Sequence, residues 1–112
     1  MAIKYATPQI RKNPYLLQQI RGASPEKLIL MLYDVGLKSC RARDTQKASK
    51  VLIELISALN FDYNDVALKY FDIYRFALDG VHAGKFENAI MVLEGLRGVW
   101  ETAVMGRVES YN

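Results

Sequence analysis

His82 is the single histidine of the chain and Cys40 its single cysteine, so a search for chemistry begins with few groups. A catalytic histidine needs a neighbour that it can deprotonate or that orients it. His82 stands alone near the end of an apolar-periodic segment, where a surface or helix-end histidine is the expected role. Cys40 has no histidine near it in sequence and reads as a passive, half-buried thiol. Asp34 reads as a solvated position on a helix. No Gly-rich phosphate loop occurs in the sequence, nor any Glu-x-x-His pair of the kind that builds di-metal sites in helical bundles. Trp100 and the tyrosines Tyr70 and Tyr74 suit a core better than a ligand cage. The sequence predicts no enzyme, with no catalytic residue, no metal ligand and no cofactor.

The bulk numbers narrow the classes further. A chain of 112 residues forms one domain and is long enough to bury a core. A lone cysteine excludes an internal disulfide and fits a reducing cytosol. No apolar run approaches the roughly 20 residues of a membrane span, and the front lacks the apolar block of a signal peptide. A cytoplasmic protein without a membrane span is expected. The net charge of +3 is mild. Its excess lies near the front, where Lys4, Arg11, Lys12, Arg21 and Lys27 face only Glu26, too sparse a pattern to argue for nucleic acid.

What remains is apolar surface, and the elements that carry it. Ser24-Pro25-Glu26 is a helix start: a capping side chain, a proline at the first helical position, and an acid on the positive end of the dipole. The helix that follows runs to about Arg43. Its polar residues Lys27, Asp34, Lys38 and Arg41 fall into a strip roughly 60° wide, leaving the first turns apolar nearly all round. Either this helix is central in its own fold, or a second apolar partner covers part of it.

The other elements follow from periodicity. Residues 1–12 show no clear period and form a mobile arm, and Asn13-Pro14 opens a short helix through Ile20 that ends at Gly22. So short a helix is marginal alone and must lie on something. A second long helix spans about Gln46 to Leu59, a third about Asp65 to His82 with Asn64 as its cap, and a fourth Lys85 or Phe86 to about Met105. Glu87, Glu94 and Glu101 make a solvated stripe on the fourth. Residues 107–112 form a frayed tail. The predicted fold is all-α: an antiparallel up-down four-helix bundle over residues 13–106, with the short N-terminal helix 13–22 as an appendage. Its core includes Leu32, Leu55, Ile56, Tyr70, Tyr74, Leu93 and Trp100.

Ile29, Tyr33 and Leu37 cannot obviously serve the same core as Leu28, Leu32 and Val35. With the stray apolar residues Ile53, Leu68 and Phe76 they are candidates for a trough that receives an amphipathic partner segment. Ordinary core plus scattered exposed apolar residues accounts for the same pattern, and composition alone leaves the two readings level.

Asn13-Pro14-Tyr15-Leu16-Leu17-Gln18-Gln19-Ile20, followed by Ser24-Pro25-Glu26-Lys27-Leu28 and Met31-Leu32-Tyr33-Asp34, resembles the flagellar export chaperone family FliS. That family shows an Asn-x-Tyr segment, a Gln-rich short helix, then Ser-Pro-Glu-Glu-Leu running into Met-Leu-Tyr-Asp-Gly. The similarity continues more weakly through Leu59-Asn60-Phe61-Asp62-Tyr63, the aromatic third helix, and Leu93 to Trp100. Lys27 stands where the family has its second Glu. Val35 stands where it has Gly, with Gly36 one place later, which shifts a close helix contact. The stretch from Leu37 to Val51 is shorter than usual.

The resemblance implies a cytosolic secretion chaperone. It would bind the disordered C-terminal segment of flagellin, prevent premature polymerisation, and help deliver the subunit to the flagellar export apparatus. The flagellin-binding groove would use Ile29, Tyr33 and Leu37, with Leu68 and Phe76 as additions. Tyr15, Leu16, Leu17 and Ile20 would form a lid over it, hinged at Gly22 and Ala23. The competing expectation is a structural or assembly bundle that homodimerises through its extra apolar face.

Overall fold

A computed structural model describes residues 24–105 of the chain. The arm 1–12, the short helix with its lid residues Tyr15, Leu16, Leu17 and Ile20, and the tail 107–112 lie outside the described residues. Helix α1 covers Pro25–Arg41, and Ser24 caps it by accepting from the Lys27 N–H at 3.2 Å. Its C-terminus closes with Arg43 at φ 57°, where the Arg43 and Asp44 amides donate to the Cys40 and Ser39 carbonyls. Asp44 then turns its side chain onto the Lys47 N–H at 3.1 Å and starts α2, Thr45–Ser57. Three residues thus end one helix and begin the next.

Helix α3 covers Asn64–His82. Its cap position falls on Tyr63, without a side-chain bond, and Asn64 is already helical, which corrects the expected Asn64 cap. The turn before it is held by Asn60 instead, whose side-chain oxygen accepts from the Asp62 N–H at 3.0 Å. Gly84, at φ 78°, ends α3, and the Lys85 amide donates to the Gly80 carbonyl at 2.7 Å. Helix α4 covers Phe86–Trp100, and the five residues Glu101–Met105 continue as a π-helical segment where the period had suggested α-helix throughout.

The two tight connections solve one problem with different residues. An L side chain in the left-handed region costs roughly 1–2 kcal/mol. Gly84 avoids that cost. Arg43 accepts it and returns part through an ion pair with Glu87 at 2.8 Å and its guanidinium over the Phe86 ring at 5.3 Å. Gly84→Ala is therefore expected to destabilise by about 1 kcal/mol. Arg43→Gly should change stability by less than Arg43→Ala, which keeps the strain and loses both contacts. Urea midpoints of the three variants check this ordering.

Helix α1 packs on α2 and α4, and α3 packs on the same two helices from the other side. The described residues are thus an all-helical, bundle-like domain. Its centre holds Tyr33, Leu37 and Cys40 of α1, Leu52 and Leu55 of α2, Tyr74, Ala77 and Val81 of α3, and Phe86 and Leu93 of α4. Of the expected core, Leu55, Tyr74 and Leu93 are buried, whereas Leu32, Ile56, Tyr70 and Trp100 are partly buried and pack against it. Gly36 is the closest approach: a Cβ there would stand 3.0 Å from Leu93 Cδ1 and 3.2 Å from Val51 Cγ1.

Glu87, Glu94 and Glu101 form the expected solvated stripe, and each also meets an arginine. Glu87 pairs with Arg43 and Glu94 with Arg41, while Arg97 joins Asp34 of α1 to Glu101. These exposed pairs are each worth under about 1 kcal/mol, and they set the register of α4 on α1 more than they hold the fold.

Candidate functional site

The first helix carries apolar residues over a wide arc because it has two neighbours. One flank meets α2 and the other meets α4, so the apparent surplus is largely absorbed by the fold. Tyr33 and Leu37, expected on an open trough, are only 1% and 6% exposed and sit in the core. Leu68 and Phe76 are exposed on α3, at 52% and 50%, and neither lies beside Ile29. The five expected groove residues are therefore not one surface. Ile29 is half-buried and keeps its place at an opening.

That opening is a cleft of about 300 Å³ where the start of α1, the end of α2, the first turns of α3 and the end of α4 meet. Pro25 and Ile29 of α1, Leu59 and Asn60 after α2, Tyr70 of α3 and Trp100 of α4 line it. Tyr33 and Tyr74 form the floor, which is how a buried Tyr33 still belongs to the site. The core of an amphipathic bundle is filled best along its middle, and the cleft opens where the helices end. Tyr70, Trp100 and Leu59 are the residues that sequence reasoning missed. A large aromatic placed at the end of a core stripe, rather than mid-stripe, was the signal available.

The polar groups of the three aromatic residues in the cleft are already used. The Tyr33 and Tyr74 hydroxyls bond each other at 2.7 Å. Trp100 Nε1–H donates to the Glu26 carbonyl at 2.9 Å, and the indole stands edge-on to Tyr33 with ring centres 6.5 Å apart. Neither hydroxyl has a base to take its proton. Burial pushes Tyr33 up from its ordinary 10.0 to about 12, the bond to Tyr74 offsetting part of the rise. Tyr74 is raised further, by burial first and then by Tyr33 beside it. Two neutral, mutually satisfied phenols make an apolar floor with little capacity for acid–base work at neutral pH.

The hydroxyl pair carries its own expected result. Tyr33→Phe or Tyr74→Phe leaves one buried hydroxyl unpartnered and should cost about 1–3 kcal/mol, while the double variant should cost less than the two singles together. Below pH 10 both hydroxyls are neutral folded and unfolded. Above it the unfolded chain ionises and the fold resists, so this stability is full below pH 10.0 and drains as pH rises towards 12. One such group costs about 1.4 kcal/mol per pH unit in that window. Thermal melts of wild type and the double variant between pH 9 and 12 check it, the double variant losing less.

The other residues considered for chemistry stay apart from the cleft. Cys40 is 1% exposed, and burial raises its thiol pKa, the opposite of what a nucleophile needs. His82 is exposed at the far end of α3, and Asp34 is held by Arg97. Among the described residues no group of three His, Cys, Asp or Glu side chains could hold a metal ion, and no helix is long and apolar enough to cross a membrane. Compared with protein-family models, curated proteins and solved structures, the chain finds no match.

Proposed function

We propose that this chain is a cytoplasmic export chaperone similar to the FliS family. It is read as an antiparallel up-down four-helix bundle with a short extra N-terminal helix, and it acts by binding rather than catalysis, without a cofactor. Its client is the C-terminal segment of flagellin, disordered when free, which it keeps from polymerising and passes to the flagellar export apparatus. The observation that carries this reading is the mainly apolar cleft in which Tyr33, Tyr74 and Trp100 turn their polar groups to partners within the protein. Such a surface offers little to a polar substrate and much to apolar side chains of an amphipathic segment. At about 300 Å³ it lies at the low end of small-molecule sites, a size that suits anchor side chains of a longer chain draped beyond it.

The block from Asn13 to Asp34 supports the choice of family, since its order and spacing are specific. The lid segment 13–22 is read as acting at this cleft, either competing with the client for it or folding over the bound client. Retention of the full-length chain on a matrix, challenged with the cytosol of its own cells, tests the reading. Flagellin identified as the specifically bound protein supports it, and binding of other proteins with flagellin left in solution contradicts it.

A second reading rests on a separate observation. Val66, Leu68, Ile73 and Phe76 leave α3 unusually apolar on its exposed side, at 57%, 52%, 37% and 50% exposure. A structural bundle that homodimerises would bury such a face. Sedimentation with and without a flagellin peptide separates the two, since a dimer that persists unchanged with peptide present favours the structural role.

A further inference from the structure

A glycine inside a helix weakens it about fivefold relative to alanine, and one is expected where a close contact or a left-handed φ demands it. Gly36 and Gly84 meet those demands. Gly95 and Gly98 do not: among the described residues nothing stands within 4 Å of a Cβ at either, and neither has positive φ. They lie three residues apart in the last turns of α4, directly before the π-helical segment Glu101–Met105. π-Helical turns are rare and often mark functional positions. From Gly95 to Ala103 only Leu96, Arg97 and Trp100 are even partly covered. The end of α4 is thus weak in its backbone and held by few side chains: Leu96 packs on the core, Arg97 pairs with Asp34, and Trp100 bonds the Glu26 carbonyl and meets the Tyr33 ring edge.

We propose that the segment from Gly95 to Ala103 is a strap, hinged at Gly95 and Gly98 and latched by Trp100, that opens to widen the cleft. Trp100 is a wall of the cleft, so its departure from α1 joins the opening to the surface between α1 and α3. Arg97 and Asp34 form an exposed secondary clasp that gives way at little cost. The inference deepens the reading of the cleft as a client site and rests on it only for what the opening admits. Its test needs no client, so the two can fail separately.

Native-state hydrogen exchange on the free full-length chain decides it. The amides of residues 99–103 should be at least roughly tenfold less protected than those of Leu52 and Leu55, because the strap opens without the bundle unfolding. Gly95→Ala with Gly98→Ala should raise their protection about 20-fold, the sum of two helix-propensity gains. Equal protection at 99–103 and at Leu52 and Leu55 in wild type would overturn the strap, since that segment would then open only with the whole bundle. Unchanged protection in the double variant would overturn the hinge.

Discussion

Leu93→Ala should lower folding stability by an amount in the upper half of the roughly 2–5 kcal/mol seen for buried leucines. Leu93 is 0% exposed and lies where α4 crosses Gly36 of α1. The cost of such a truncation depends on how far the surroundings collapse into the hole. Here the facing residue is a glycine with no side chain to move, so collapse is limited. A fall in the urea midpoint with an unchanged m-value measures the loss. A loss below about 1 kcal/mol would remove Leu93 from the centre of the core.

The same contact gives a sharper form of the test. Gly36→Ala alone forces a Cβ to 3.0 Å from Leu93 Cδ1 and 3.2 Å from Val51 Cγ1, tighter than ordinary packing. In the Leu93→Ala background the first clash is gone and the new methyl partly fills the cavity. Gly36→Ala should therefore cost less in the variant than in wild type. Equal costs would mean that the two positions do not touch.

The second large effect concerns the cleft. Ile29→Asp with Leu59→Asp places two carboxylates in the apolar lining of the cleft. Both side chains are only partly buried, so the charges can reach water in the free protein. A bound apolar segment would have to desolvate them and would lose two aliphatic contacts worth about 1.5–3 kcal/mol each when fully buried. A loss of a hundredfold or more in client affinity is expected, about 2.7 kcal/mol. Leu68→Asp with Phe76→Asp, on the exposed side of α3, is the matched control and should leave affinity within a few-fold of wild type. The reverse ordering would move the site to α3.

Much of this bundle was legible in the chain, because a helix announces itself through caps and a 3.6-residue period. Ser24-Pro25 gave a true start, and Leu55, Tyr74 and Leu93 were placed in the core from local periodicity alone. The site was less legible. A wheel shows that α1 is too apolar for one neighbour, but not that α2 and α4 divide the surplus, so Leu37 was read as open where it is core, and Tyr33 as open where it is a buried floor of the cleft. Glu87 and Glu94 are solvated as read, but their partners, Arg43 and Arg41, lie more than forty residues away and left no local sign. Trp100 read as core for the same reason: its hydrogen bond reaches Glu26, at the other end of the chain. Pairings at long sequence separation leave no periodic trace, and the cleft is made of them.

The most direct test of the central claim is calorimetric titration of the full-length chain with a peptide of the C-terminal flagellin segment. Apolar burial in the cleft predicts saturable binding with a negative heat-capacity change. That binding should be weakened at least a hundredfold, about 2.7 kcal/mol, by Ile29→Asp with Leu59→Asp. Absence of saturable heat at several temperatures, or full affinity in the cleft variant, would contradict it.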